Sequence, residues 1–191
     1  SRLILVDLGA GKQRLGGSIL AQVFNQQAGD VADVESGAQL KAFFNAMQQL
    51  LIEKKVIAYH DRSDGGLLAT LAEMAFAGRC GLDIDLAGDV IPTLFNEELG
   101  AVIQVAEDDV LAVNAVFKAH GIAELITDIG SPTADEAINI AFGGERVIEA
   151  SRAQWQELWS RVSYHMQALR DNPECADEEF DRIHEIDTGL S

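Results

Sequence analysis

Hydrophobic positions follow two repeats along this chain, a spacing of two that is typical of strands and a spacing of three or four that is typical of helices. Alternation at residues 81–86, and short runs rich in apolar residues elsewhere, predict strands at residues 3–8, 56–60, 81–86, 100–105, 125–129, 138–142 and 146–149. The helical spacing predicts helices at residues 15–24, 36–51, 67–77, 91–94, 107–120 and 151–171. Because the two kinds of element alternate and the last two strands form a hairpin, we expect an α/β (α+β-like) fold, a mixed sheet covered by helices.

Two of the predicted helices begin with serine followed three residues later by glutamine, the pattern of a capping box. Ser36 and Gln39 start one helix, and Ser151 and Gln154 start the last. The last helix ends before Pro173, because a residue preceding proline is pushed out of the α region. Its apolar face is expected to be buried in the core or against another domain. That face consists of Trp155, Leu158, Trp159, Val162, Met166 and Leu169.

Composition sets limits on the function. The chain has 191 residues, 48% hydrophobic, enough to build a core. Its net charge of −17 argues against a nucleic-acid surface, which needs a basic face, but not against a nucleotide, because Mg²⁺ can bridge carboxylates to phosphates. Acidic residues dominate after Asp171, so we expect one domain at residues 1–171 and an extended acidic linker at residues 172–191.

Cysteine usage and hydropathy bear on the compartment. Cys80 and Cys175 are far apart and lack metal-ligand spacing, which predicts no disulfide and fits the cytoplasm. No apolar run approaches the roughly 20 residues needed to cross a bilayer, so no membrane partner is expected. The chain opens almost directly into an apolar strand without an initiator methionine, and we therefore expect it to be a fragment of a larger protein.

The segment that stands out for chemistry joins the strand at residues 56–60 to the helix at residues 67–77. There Asp61 ends the strand, and Ser63, Asp64 and Gly65 lead into the helix. Backbone N–H groups and the helix dipole favour an anion at such a position, and a carboxylate oxygen is the ligand type that Mg²⁺ prefers. The same residue types also make a plain capped turn, and this pattern by itself favours that structural interpretation.

Other candidates have simpler structural interpretations. Gly16 and Gly17 lack the spacing of a phosphate loop and indicate close packing at a helix start. Glu97 and Glu98 enter a strand side by side, so at most one of them can face a site. His60 is expected to be a hydrogen-bonded structural group. No nucleophile motif is present, so no catalytic residue is predicted.

Several stretches together resemble one family, the large phosphoribosylformylglycinamidine synthases, in their second synthase-type half. Residues 60–68 read His-Asp-Arg-Ser-Asp-Gly-Gly-Leu-Leu, and the resemblance continues in the same order through four other stretches. These are residues 15–18, 71–78, 94–105 and 166–176. The last of them resembles the connector that leads into the glutaminase domain of the large single-chain form.

The resemblance implies an AIR synthase-related C-terminal domain and a reaction. The family converts formylglycinamide ribonucleotide, ATP and glutamine to formylglycinamidine ribonucleotide, ADP, phosphate and glutamate. Asp61 matches a Mg²⁺ ligand of an ATP/ADP site, Ser63 matches a residue that contacts the nucleotide, and Asp64 and Gly65 continue the motif. The implied partners are the N-terminal synthase half and the glutaminase domain of a parent chain, so the fragment alone is expected to be inactive.

Two alternatives stay open. The domain could be a non-catalytic structural module that packs between the synthase halves and guides the glutaminase into place. It could also belong to another branch of the superfamily, such as aminoimidazole ribonucleotide synthase, selenophosphate synthetase or a hydrogenase maturation factor. The connector-like stretch at residues 166–176 argues against the second alternative.

Overall fold

A computed structural model describes residues 1–26 and 29–185, and within them seven strands form one sheet. The strands are β1 (Arg2–Asp7), β2 (Ala58–Asp61), β3 (Gly81–Leu86), β4 (Gly100–Val105), β5 (Ile126–Thr133), β6 (Ala137–Phe142) and β7 (Glu145–Ser151). The helices are α1 (Ile19–Val23), α2 (Gly37–Ile52), α3 (Gly66–Gly78), α4 (Val90–Phe95), α5 (Val110–Ala119), α6 (Arg152–Arg170) and α7 (Pro173–Asp181).

The strand order is β2-β4-β1-β5-β3-β6-β7, and the predicted mixed sheet is confirmed. β3 and β6 pair in parallel, whereas the other neighbours pair antiparallel. The predicted hairpin of β6 and β7 turns at Gly143 and Gly144, which both have positive φ. β2 lies at one edge of the sheet, which leaves its end accessible.

Helices cover both faces of the β1–β4 half of the sheet. Ile4, Val6 and Ile103 face α2 and α5 in one buried cluster. Leu3 and Val102 face the opposite side and pack in a second buried cluster with residues of α3, β3 and β6. Successive side chains of a strand point to opposite faces, so consecutive apolar residues in β1 and β4 are what a sheet buried on both sides requires.

The two predicted capping boxes have different outcomes. Ser36 accepts a hydrogen bond from the Gln39 N–H at 3.2 Å, which confirms the first cap. Ser151 precedes α6 but makes no side-chain capping bond. There the Arg152 N–H instead donates to the Glu136 carbonyl at 2.8 Å, so the start of α6 is fixed by the β5–β6 connection. Within residues 1–26 and 29–185, no helix is both long and apolar enough to cross a membrane.

Most of the apolar face of α6 lies outside the core of this domain, so packing against another domain, the second predicted environment, stays a prediction for it. Only Trp155 packs against the second core cluster, while the other five side chains are 58% to 90% exposed. Within α6 itself, the buried residues Arg152 and Ala153 lie in its first turn. Helical periodicity predicts an apolar face correctly but cannot show what covers that face.

The prediction that the chain is extended after Asp171 is wrong as far as residue 185. α7 and a 3₁₀ turn at Arg182–His184 fold back on α6, with Ala176 and Ile183 buried and Tyr164 stacked on Phe180 at 4.3 Å between ring centroids. Pro173 stops α6, but proline is also favourable in the first turn of a helix, and it opens α7. Residues 186–191 of the predicted linker lie outside the described residues.

Candidate functional site

The end of β2 places the two principal candidate side chains on the surface. Asp61 and Ser63 are exposed, and Arg62 between them is buried, 6% exposed. This is the alternation expected of extended chain, in which residues two apart share a face. Asp61 Oδ1 also accepts a hydrogen bond from the Tyr59 hydroxyl. The pKa of Tyr59 is raised, first by burial of the hydroxyl and second by this hydrogen bond. A neutral Tyr59 therefore orients the carboxylate.

Arg62 fixes this turn to the sheet. Its Nε donates to the Glu98 carbonyl at 2.6 Å, and its Nη2 donates to Asp7 Oδ1 at 2.6 Å and to the Leu99 carbonyl at 3.0 Å. Its backbone N–H also donates to the Gly100 carbonyl at 2.9 Å, one step beyond the β2–β4 ladder. Because Arg62 is held from both main chain and side chain, its neighbours are held facing outward.

A second ion pair supports the same corner of the sheet. The Glu98 side chain is fully buried and pairs with Arg14, with both carboxylate oxygens accepting at 2.6 Å. Burial by itself raises the pKa of Glu98, but the hydrogen bonds and charge of Arg14 outweigh it and hold that pKa below its usual range. Glu98 is thus a structural anion, which agrees with the simpler interpretation of this residue.

The two glycines at the start of α3 are required by backbone geometry. Gly65 and Gly66 have φ of 84° and 69°, in the left-handed region that favours glycine. A Cβ atom on Gly66 would lie 2.7 Å from the carbonyl oxygens of Leu94 and Asn96. Gly66 therefore allows α3 to approach the end of α4.

A carboxylate of this chain lies where the sequence pattern favours an anion. Glu97 Oε1 accepts from the Gly65 N–H at 2.9 Å and from the Ile19 N–H at 2.8 Å, so it joins the starts of α3 and α1. Two N–H groups that converge on one oxygen make a site for negative charge. A phosphate that reached the Gly65 N–H would have to displace Glu97.

The remaining candidates have structural roles. His60 Nδ1 lies 2.7 Å from the Asp61 carbonyl oxygen, and its Nε2 lies 2.8 Å from Glu73 Oε2, which confirms a hydrogen-bonded histidine. Gly16 lies against the main chain of residues 29–30, where a Cβ atom would come within 2.5 Å of two carbonyl oxygens, so the predicted close packing is confirmed.

Asp61 would have to share a metal ion with groups from elsewhere. Among residues 1–26 and 29–185, no three His, Cys, Asp or Glu side chains are grouped so that they could hold a metal ion. The exposed Asp61 carboxylate offers one hard oxygen ligand, and Mg²⁺ commonly takes one or two carboxylates together with phosphates and waters. The residues present thus fit a partial magnesium site.

Sequence reasoning missed the residues that hold this turn in place. Tyr59, Arg62 and Glu97 orient or anchor it, and none of them was expected to act there. The alternation of Asp61, Arg62 and Ser63 was a usable signal for Arg62, because exposure of its two neighbours requires it to face inward. The bond of Glu97 to Gly65 joins residues 32 positions apart and has no local signal.

We expect Gly66→Ala to destabilise the domain by about 2–4 kcal/mol, because a methyl group there combines overpacking with a left-handed backbone. Urea unfolding followed by circular dichroism measures the change. Gly121→Ala is the matched control, since Gly121 also has positive φ but has no atom within 4 Å of the added Cβ. Equal losses for the two variants would show that backbone conformation, and not packing on α4, fixes the glycine.

Fold and site together define a class: a mixed α/β sheet whose edge strand presents a carboxylate and a hydroxyl beside the start of a helix. Residues 1–142 match the family described as AIR synthase related protein, C-terminal domain, and the chain belongs to that family. The AIR synthase-related C-terminal domain that the sequence resemblance implied is thereby confirmed.

Solved structures share the fold at low sequence identity. Thermotoga maritima PurL complexed with ATP superimposes with a TM-score of 0.63 at 13% identity, over 79% of this chain and 24% of that chain. T. maritima PurL complexed with FGAR gives 0.60 at 13% identity, over 80% and 27%. Escherichia coli HypE, a hydrogenase maturation protein, gives 0.54 at 20% identity, over 78% and 48%. The chain spans about a quarter of the length of the PurL chains that it matches.

Proposed function

We propose that this chain is a domain of a phosphoribosylformylglycinamidine synthase, an ATP-dependent glutamine amidotransferase ligase of purine biosynthesis. In this proposal Asp61 is a magnesium ligand, and Ser63, Asp64 and Gly65 lie along the bound ATP or ADP. The N-terminal synthase half and the glutaminase domain would complete the site and supply ammonia. The domain alone would be inactive, and its place of action would be the cytoplasm.

One observation carries the proposal: Asp61 and Ser63 face outward side by side, held by the buried Arg62 between them. The sequence resemblance at residues 60–68 supports it, as does the fold shared with PurL, which has been solved with ATP, ADP and FGAR. A Mg²⁺ ion bound with the nucleotide would neutralise phosphate charge in a strongly acidic protein.

The main alternative is a structural module in which a permanently held nucleotide stabilises the assembly without turning over. The bonds that Glu97 accepts from the Gly65 and Ile19 N–H groups favour a structural role for this turn, because the chain itself already satisfies both donors. Turnover separates the two functions. Loss of turnover with an intact fold would favour a catalytic site, whereas poor folding with normal turnover in the folded fraction would favour a structural one.

The test is Asp61→Ala in the full-length synthase that the proposal requires, with nucleotide binding measured by titration calorimetry. We expect the affinity for ADP to fall at least tenfold in the presence of Mg²⁺ and less than twofold in EDTA, because the carboxylate acts through the metal. Asp83→Ala, an exposed aspartate of β3, is the control and should leave both affinities unchanged. Equal losses with and without Mg²⁺ would contradict the assignment of Asp61 as a magnesium ligand.

The isolated chain offers a second measurement. Asp61 would be one ligand among several, and the others would come from missing domains. We therefore expect the dissociation constant of Mg²⁺–ATP from the 191-residue chain to lie above the millimolar range. Micromolar affinity in calorimetry would show that this domain holds the nucleotide without its proposed partners.

A further inference from the structure

One carboxylate close to the candidate site joins three elements of the fold. Glu73 of α3 bonds to both β2 and α6, with a different carboxylate oxygen in each bond. Its Oε2 lies 2.8 Å from His60 Nε2 of β2, and its Oε1 accepts from Trp159 Nε1 of α6 at 3.0 Å. Because each oxygen is held by a different element, the carboxylate has a fixed position although its side chain is 34% exposed.

His60 carries this connection to the main chain of Asp61. Its Nδ1 lies 2.7 Å from the Asp61 carbonyl oxygen. That oxygen and the Glu73 carboxylate are both acceptors, so the ring is a donor on both sides. Bonds to both ring nitrogens fix the plane and direction of a histidine, and Glu73 supplies one of the two.

The peptide that follows Asp61 is held from two sides. On the sheet side, the Arg62 N–H donates to the Gly100 carbonyl at 2.9 Å. On the helix side, the Asp61 carbonyl accepts from His60 Nδ1 and, at 3.1 Å, from the Thr70 hydroxyl. The same hydroxyl also lies 3.1 Å from a carbonyl of its own helix, so its one proton is shared. His60 is therefore the donor on the helix side that serves Asp61 alone.

We propose that Glu73 is a positioning residue of the candidate magnesium site. It holds the His60 ring, which holds the Asp61 peptide and with it the direction of the Asp61 carboxylate, while Trp159 steadies Glu73 from α6. This inference rests on the proposed function, because it concerns the same magnesium ligand. Removing a group that orients a metal ligand typically lowers metal affinity about 10–100-fold. The effect of Glu73 is expected to be smaller, since Arg62 holds the other side of the peptide.

The test is Glu73→Leu in the full-length synthase, with ADP affinity measured by titration calorimetry. Leucine occupies a similar volume but accepts no hydrogen bond. We expect the affinity for ADP to fall about fivefold in the presence of Mg²⁺ and less than twofold in EDTA, because the oriented carboxylate acts through the metal. A bond that only stabilised the fold would change the two affinities equally or leave both unchanged. Circular dichroism would verify that the variant is folded.

Two comparisons separate positioning from the loss of a negative charge. Adding Glu73→Leu to Asp61→Ala should lower the affinity for ADP with Mg²⁺ by less than twofold, because the ligand that Glu73 positions is already gone. A purely electrostatic effect of Glu73 would persist in that background. Glu157→Leu is the matched control, since the Glu157 side chain is also 34% exposed but pairs with Arg161 and His184, in α6 and the 3₁₀ turn. It should leave both affinities unchanged.

Glu73→Gln keeps the test decisive if leucine disturbs folding. Its amide has one acceptor oxygen for two donors, so we expect about a threefold loss of ADP affinity with Mg²⁺ and no measurable loss in EDTA. Equal losses with and without Mg²⁺, or a full fivefold loss on top of Asp61→Ala, would overturn the positioning role. A Mg²⁺-specific loss in Asp61→Ala but in neither Glu73 variant would overturn this inference alone. Without a Mg²⁺-specific loss in Asp61→Ala, the magnesium assignment fails and the inference fails with it.

Discussion

Arg62→Leu is expected to lower the free energy of unfolding by about 3 kcal/mol. Removing one partner of a buried ion pair typically costs about 3–5 kcal/mol, because the other charge loses its compensation. The lower figure applies here since the Asp7 side chain is 32% exposed and water can solvate it in part. The carbonyl groups of Glu98 and Leu99 also lose their donor, and the leucine side chain cannot replace it.

The measurement is urea unfolding at neutral pH, followed by circular dichroism. Arg146→Leu is the matched control, because Arg146 pairs with Glu149 on the surface and exposed pairs of this kind contribute about 0–1 kcal/mol. Amide exchange should also quicken at residues 61–65 in Arg62→Leu, since the turn loses its anchor. A loss below about 1 kcal/mol would show that the main chain alone fixes the turn.

Arg152→Leu is expected to produce a similar loss of about 3 kcal/mol together with a local effect. Arg152 is fully buried, pairs with Glu136, and donates from Nη2 to the Ile183 carbonyl at 2.9 Å. It therefore ties three parts of the chain together: the β5–β6 connection, the start of α6 and the 3₁₀ turn after α7. Removal should release the last segment, so trypsin should cut faster after Arg182.

Limited proteolysis with mass spectrometry measures the release, and urea unfolding measures the stability. Arg161→Leu is the control, since Arg161 lies on the exposed side of the same helix and pairs with Glu157 at 3.5 Å. We expect Arg161→Leu to change neither the cleavage rate after Arg182 nor the free energy of unfolding beyond the experimental error. If Arg152→Leu lowers stability without faster cleavage at Arg182, then the Tyr164–Phe180 stack and its neighbours hold the tail by themselves.

The sequence was most informative where one local pattern decides the structure. β3 alternates as predicted, with Leu82, Ile84 and Leu86 buried and Asp83 and Asp85 exposed. The cap at Ser36 was equally visible, because both of its partners lie within four residues. Patterns of this kind need no knowledge of the rest of the chain.

Elements whose surroundings come from distant segments could not be predicted in the same way. α6 was correctly predicted to be a helix with an apolar face, but its periodicity does not show that Trp159 and Leu169 lie outside the core of this domain. α7 was missed because its acidic composition resembles that of a solvated tail, whereas Ala176 and Ile183 are buried against the fold. Charge composition alone does not report on a few buried contacts.

The candidate site also combines features that a local pattern predicts with features that depend on distant segments. The positions of Asp61 and Ser63 at the junction of strand and helix followed from the local pattern. Their support did not, because the bonds of Arg62 reach Asp7, 55 residues away, and Glu98, 36 residues away. Whether the two side chains bind magnesium and nucleotide stays a prediction for the experiments above.

The position of β1 in the sheet has a consequence for how this chain folds. β1 occupies residues 2–7 and pairs with β4 at residues 100–105 and with β5 at residues 126–133. β1 must therefore wait until β4 has been synthesised before it finds either neighbour. Pairing over such separations is slow, and an apolar strand that waits for its neighbours is prone to aggregate. The apolar segment Leu3–Val6 is thus expected to stay unpaired until translation has passed residue 105.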